Sequence, residues 1–189
     1  MQQGHSVAIY QQSLHAISEG ATGFTHLFNA MSGMDHRSPG VLAAALAHAT
    51  YAEIIPDFEH VHPAAILAAR RAIPKLYAVT DSCSAVGMPD GEYMQGEYTI
   101  YKCAGKSAAR LKNGTLAAST LTMDKALLNF IKLGLSLEEA SLRLSTYPAE
   151  FLGIEDRGCL QINAWADYVV LDENYHVQQV VIEGKTVPR

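Results

Sequence analysis

Thr22-Gly23-Phe24-Thr25-His26-Leu27-Phe28-Asn29-Ala30-Met31 is the stretch on which the fold of this chain turns. It is short and β-prone as far as Phe28, and it carries a histidine where a strand should end. Upstream, Gly4-His5-Ser6 ends another strand-like segment, with a histidine 26 − 5 = 21 positions earlier. Between the two histidines, residues 8–19 hold the helix formers Ala8, Gln11, Gln12, Leu14, Ala16 and Ile17, and Gly20 supplies a stop. Downstream, Pro39-Gly40 precedes an alanine-rich helix through about Thr50, and Tyr51 to Pro56 reads as a strand. Pro63 opens a second alanine-rich helix, and Leu76 to Thr80 is the next strand, ending in Asp81. Alternating strands and helices mean parallel β/α units. Three to four units fit in this stretch, half of an eight-fold barrel. The fold class expected is α/β, the second half of a TIM-like (β/α) barrel.

The character changes after Asp81. Residues 84–112 hold Gly87, Pro89-Asp90-Gly91, Gly96 and Gly105, with short alternating runs such as Tyr98-Thr99-Ile100-Tyr101, which is antiparallel hairpin material. Leu121 to Leu133 reads as a helix closed by Gly134. Ser136-Leu137-Glu138-Glu139 fits a capping box opening another, and Pro148 to Leu152 is a last short helix ended by Gly153. The tail alternates again through Tyr168 to Leu171 and Val177 to Ile182, part of a small β domain. The expected division is barrel strands over 1–88, a hairpin-rich segment over 89–120, helices packing on the barrel over 121–153 and β-sandwich strands over 154–189.

Composition narrows the class. The chain has 189 residues, 49% hydrophobic and 17% charged, enough for one real core. A net charge of −5 without a basic run argues against nucleic acid as a partner. The three cysteines, Cys83, Cys103 and Cys159, are scattered and odd in number, which fits a reducing cytoplasm better than a disulfide framework. No segment has the ~20 apolar residues that span a bilayer, and Met1-Gln2-Gln3-Gly4-His5 lacks the basic start and apolar stretch of a signal peptide.

In a (β/α) barrel the C-terminal strand ends converge on one site. Four chemistry-bearing residues fall at such ends here: His5, His26, His60 and Asp81. Neutral imidazoles bind divalent metals, and a carboxylate moves protons. Any one of these residues alone fits a hydrogen-bonded core or surface position. Four at successive strand ends read as a metallohydrolase centre, with His5 and His26 as ligands, Asp81 as proton carrier and His60 as donor to an oxygen that becomes an oxyanion.

The chain resembles the C-terminal part of the N-acetylglucosamine-6-phosphate deacetylases of the amidohydrolase superfamily. The resemblance rests on Gly4-His5-Ser6, Thr25 to Met31, His36-Arg37-Ser38-Pro39-Gly40, His60-Val61-His62-Pro63, Val79-Thr80-Asp81 and Asn113-Gly114-Thr115-Leu116-Ala117-Ala118-Ser119. It implies a TIM-like barrel with a small β-sandwich, a cytoplasmic enzyme of amino sugar catabolism, and hydrolysis of an N-acetylhexosamine 6-phosphate with a divalent metal, zinc or iron. The galactosamine isomer is the rival substrate, since nothing here reads the C4 hydroxyl, and the non-enzymatic alternative is an inactive C-terminal fragment that needs its N-terminal half. By resemblance, His5 and His26 are the metal histidines and Asp81 the catalytic aspartate. His60 meets the substrate, Asn29 and the Ala30 backbone contact the phosphate side, and Arg37 binds phosphate from a neighbouring subunit. Thr115 to Thr120 has two readings, a segment that shapes the sugar pocket or an ordinary loop into a helix, and the second is preferred. Two departures stand out. Where the family has Asp-Gly-x-His, this chain has Asp57-Phe58-Glu59-His60, and Phe58 is expected to disfavour a turn that used glycine's freedom. The family's first barrel strands, one bearing a glutamate ligand, precede Gly-His-Ser. About half the barrel is therefore expected to lie outside these residues, and a homo-oligomer or a missing N-terminal half is expected to cover the bare strand edges.

Overall fold

The computed structural model of the chain describes residues 1–188. Two short strands lead it. β1 (Gln2–Gln3) runs parallel to β2 (Gly23–Phe24), joined by helix α1 (Tyr10–Ser18). Helix α2 (Val41–His48) leads to β3 (Tyr51–Ile54), and helix α3 (Pro63–Ala72) returns the chain to β4 (Lys75–Ala78), parallel to β3. A backbone bond from the Leu27 N–H to the Glu53 carbonyl, 2.8 Å, links the two pairs. The architecture is mixed α/β, and the described strands do not close into a barrel.

One face of these four strands is polar. Gln2 Nε2 donates to Glu53 Oε1 at 2.9 Å and to the Tyr77 hydroxyl at 3.1 Å, Tyr77 donates to Glu53 Oε1 at 3.2 Å, and Thr25 donates to Gln2 Oε1 at 2.5 Å. In a flat sheet the first and fourth strands would stand about 14 Å apart at ordinary spacing. A direct Gln2–Tyr77 bond is what a curl toward this face produces. Burial, and next the Glu53 carboxylate, push the Tyr77 hydroxyl well above its usual range. On the other side lies the apolar core, with Phe24, Leu27, Ile54, Ile66, Ile73, Leu76, Leu121 and Phe130 buried.

Beyond Asp81 the hairpin material forms one four-stranded antiparallel sheet: β5 (Gly91–Gln95), β6 (Tyr98–Lys102), β7 (Ala108–Arg110) and β8 (Leu116–Ser119). Residues 116–119, read from sequence as a loop, are a strand, because they pair with β7 and Ser119 bridges Ser82. Helix α4 (Met123–Lys132) buries Ala126, Leu127 and Phe130 and is closed by Gly134 at φ 87. Ser136 caps α5 (Leu137–Ser141), accepting from the Glu139 N–H at 3.1 Å. A π-helical turn over Leu142–Thr146 then joins α5 to α6 (Tyr147–Phe151), where the sequence suggested two separate helices. The tail is a three-stranded antiparallel sheet of β9 (Tyr168–Leu171), β10 (Val177–Ile182) and β11 (Lys185–Thr186).

Candidate functional site

The residues just past the C-terminal end of each parallel strand build the site. His5 comes just after β1, and the close passage of β1 beside Thr25 explains the glycine before it: a Cβ on Gly4 would lie 2.8 Å from the Thr25 Cβ. His26 comes just after β2. The two rings meet edge to face with centroids 4.7 Å apart, as a single crossover helix between parallel strands requires. His26 is buried, and its Nδ1 is a buried side-chain atom with no hydrogen-bond partner among the described residues. Unpaired buried polar atoms are costly. An edge-to-face ring pair alone leaves that nitrogen unexplained, whereas a bound cation would use it. The residues thus fit a metal, but incompletely. Among the described residues no three His, Cys, Asp or Glu side chains converge as a metal cluster.

Backbone strain falls at these places and also in the tail. His5 (φ 46), His26 (φ 30), Phe28 (φ 80), Ala30 (φ 48), Phe58 (φ 68) and Asp81 (φ 48) lie in the left-handed region, as do Asn163, Tyr175 and Glu183 of the tail. Such conformations cost of order 1–3 kcal/mol each and concentrate at functional sites. Three of the four candidate chemical residues are among them. Phe58 overturns the expectation set by its bulk: it takes the left-handed turn itself, and His60 stays held. Asp57 Oδ1 accepts the N–H of Glu59 at 2.9 Å and of His60 at 2.8 Å, and Asp57 Oδ2 faces His60 Nδ1 at 2.6 Å. Phe58 also packs against the apolar core, which offsets part of the strain.

Three supports at this site escape a reading of sequence alone. Asn129, buried in α4, donates to the Pro56 carbonyl at 2.8 Å and so fixes the chain just before Asp57. Glu59 accepts from Arg110 Nη2 at 2.9 Å and from the Ser107 N–H at 3.1 Å, tying the hairpin sheet to the His60 turn. Glu53 Oε2 accepts the His26 N–H at 3.3 Å. A buried acid or amide inside an apolar run is the signal that could have found Asp57 and Asn129.

Asp81 is exposed and lies past β4. β8 runs alongside it, the Ser119 N–H donating to the Asp81 carbonyl at 3.2 Å. Asn29 is held by its own loop, its Nδ2 donating to the His26 and Leu27 carbonyls at 3.1 and 3.3 Å, with exposed Ala30 next in the chain. Arg37 is exposed on the loop before α2, away from any acidic partner among the described residues. Its backbone N–H and that of Ser38 bond Asp35 Oδ1, both at 2.8 Å, and hold the Asp35 carboxyl below its usual range. Gly40 closes that loop tightly, since a Cβ there would lie 2.2 Å from Ser32 Oγ.

Comparison with known proteins gives the class first: over its length the chain has the fold of the C-terminal part of sugar-phosphate deacetylases. It superposes on the N-acetylglucosamine-6-phosphate deacetylase of Pasteurella multocida with a TM-score of 0.94 at 28% identity, covering 100% of this chain and 50% of that one. A second match is an aspartate-to-alanine variant of the Mycobacterium smegmatis N-acetyl-D-glucosamine-6-phosphate deacetylase in complex with N-acetyl-D-glucosamine-6-phosphate. Its TM-score is 0.90 at 36% identity, over 98% of this chain and 50% of that chain. Sequence then gives the particular relatives. The chain is 38% identical over 188 residues to N-acetylglucosamine-6-phosphate deacetylase of Vibrio furnissii, covering 97% of this chain and 47% of that protein. It is 39% identical over 186 residues to N-acetylgalactosamine-6-phosphate deacetylase of Escherichia coli O157:H7, covering 96% and 49%. No family model matches the chain. It is similar to the C-terminal part of these enzymes and spans about half the length of the curated relatives it matches.

Proposed function

We propose that this chain is the C-terminal part of a metal-dependent deacetylase that hydrolyses the acetamide of N-acetylglucosamine 6-phosphate to glucosamine 6-phosphate and acetate. The observation that carries the reading is the His5–His26 pair with its orphaned, buried Nδ1. His5 and His26 would hold the divalent ion, zinc or iron. When bound, such an ion lowers the pKa of a water toward ~7 and polarises a carbonyl oxygen. Asp81, past the end of β4, takes the water proton and returns it to the departing amine. His60 meets the acetyl group, and Asn29 and the Ala30 backbone face the phosphate. Exposed Arg37 reaches the phosphate of a neighbouring subunit's substrate, a task suited to a guanidinium because its fork makes bidentate, charge-assisted bonds.

In this reading the curled parallel strands are half of a TIM-like barrel and the tail sheet is part of a β-sandwich. The rest, including a third metal ligand, is supplied by an N-terminal half or another subunit. Val7, Leu160 and Ile162, all highly exposed, are consistent with surfaces that a partner covers. The free thiols Cys83, Cys103 and Cys159 favour the cytoplasm, and no helix is long and apolar enough to cross a membrane. The galactosamine isomer is a second reading, favoured by the Escherichia coli relative. The test is acetate release from both sugar phosphates, with metal present, by the chain alone and after addition of the N-terminal half of a relative. Release only after addition, faster with the glucosamine sugar, is expected. No release from either sugar under any condition would overturn the reading.

A further inference from the structure

The Asp57–His60 contact carries more than an anchor for the turn. The Asp57 side chain is 0% exposed, and its two oxygens have unlike neighbours. Oδ1 accepts two backbone N–H groups, those of Glu59 and His60, while among the described residues Oδ2 faces only His60 Nδ1, at 2.6 Å. The other acid of the turn does not compete for the ring, because Glu59 is taken up by Arg110 and the Ser107 N–H. Asn129 fixes the preceding Pro56 carbonyl, so the turn has little room to rearrange. With a carboxylate at this distance the ring proton belongs on Nδ1. Nε2 then makes no hydrogen bond within the described residues.

We propose that Asp57 is a positioning residue that locks His60 in its Nδ1–H tautomer and leaves Nε2 as the nitrogen that meets the substrate. The inference rests on the reading of His60 as the substrate-facing histidine. It also sharpens that role. A neutral ring held this way presents an acceptor at Nε2. It donates to a developing oxyanion only after taking a second proton, and the buried Asp57 carboxylate is the counter-charge for that form. The sequence string Asp57-Phe58-Glu59-His60 therefore encodes an acid and a ring that act as one unit across a strained turn.

The asymmetry of Asp57 makes the test sharp. In Asp57→Asn the amide oxygen must occupy the Oδ1 place, where two backbone N–H groups demand an acceptor. The amide NH2 is left facing Nδ1, a donor against a donor. The ring relieves the clash by moving its proton to Nε2. Long-range 1H–15N spectra of the histidine rings, recorded over a pH series up to the alkaline plateau where the ring is neutral, read the tautomer directly, with His60 assigned by its loss in His60→Gln. The expected result is Nδ1–H in the unmodified chain and Nε2–H in Asp57→Asn. An Nε2–H ring in the unmodified chain overturns the proposal without any variant, and so does an unchanged tautomer in a folded Asp57→Asn. A purely structural role for Asp57 would not move this signature. Acetate release by the complemented protein is scored separately. A tautomer switch in a protein that never deacetylates would sustain the positioning role and sink the functional reading.

Discussion

Glu139→Gln should destabilise the chain by about 2–3 kcal/mol at neutral pH. Glu139 is the only acid serving two arginines at the α3–α5–β4 junction among the described residues. Its Oε1 accepts from Arg70 Nε at 2.6 Å and from Arg143 Nε and Nη2 at 3.1 and 2.9 Å, and its Oε2 accepts from Arg70 Nη2 at 2.6 Å. Arg143 is buried, 5% exposed, and its one other hydrogen bond among the described residues is Nη1 to the Leu76 carbonyl at 2.7 Å. Stranding a buried charge by removing its partner typically costs 3–5 kcal/mol. Glu139 and Arg70 are a quarter and a third exposed, so water replaces part of what is lost, which gives the lower figure. With a urea slope of about 2 kcal/mol/M, the midpoint should fall by roughly 1–1.5 M, read by circular dichroism.

The pH dependence has a definite sign. The Arg70 hydrogen bonds, supported by Arg143, hold the Glu139 carboxyl below its usual range. The stability it adds is therefore complete above the unfolded value near 4.5 and is lost as pH falls through the lower folded value. The gap between the unmodified chain and Glu139→Gln should be constant from about pH 6 to 8 and close on acidification. A gap under about 0.5 kcal/mol at pH 7, or one that widens in acid, would refute the reasoning.

Asp81→Asn, in complemented and metal-loaded protein, should still bind the sugar phosphate yet lose ~10²–10⁴-fold in turnover, since an amide cannot shuttle the proton; full turnover would remove Asp81 from that role. Gly40→Ala should cost about 1–3 kcal/mol in denaturant unfolding, because the new Cβ displaces Ser32, whose Oγ donates to the Ala8 carbonyl and accepts the Val41 N–H. Gly33→Ala, with open space around it, is the control and should stay within ~0.5 kcal/mol. Light scattering should find the isolated chain associated, because strand edges left bare invite pairing; a well-behaved monomer would contradict that.

Much of this was legible in the sequence where a local signal existed. Strand–helix alternation located β3, β4, α2 and α3, and Gly134, Gly153 and Ser136 marked helix ends because φ above zero and an N-cap hydroxyl are local requirements. The proximity of His5 and His26 came from a single crossover. Features that depend on distant partners were not legible. β1 and β2 were expected just before His5 and His26, but their extent of two residues each is set by pairing with one another. The Gln2–Thr25–Glu53–Tyr77 face joins residues on or beside four separate strands, and the capture of His60 by Asp57 looks like any two polar residues three apart. Phe58 shows the limit of a residue-type rule: glycine's freedom was absent, but the Asp57 bonds on one side and the apolar core on the other held the turn.

The most direct measurement is metal binding to the chain itself, by titration with zinc or cobalt(II). One ion should bind weakly, because two histidines fall short of the three protein ligands usual in a catalytic zinc site. Binding should disappear in His5→Ala and in His26→Ala and persist in His176→Ala, whose ring lies exposed in the tail. Equal binding by the unmodified chain and His26→Ala would contradict the claim that these two histidines form one site.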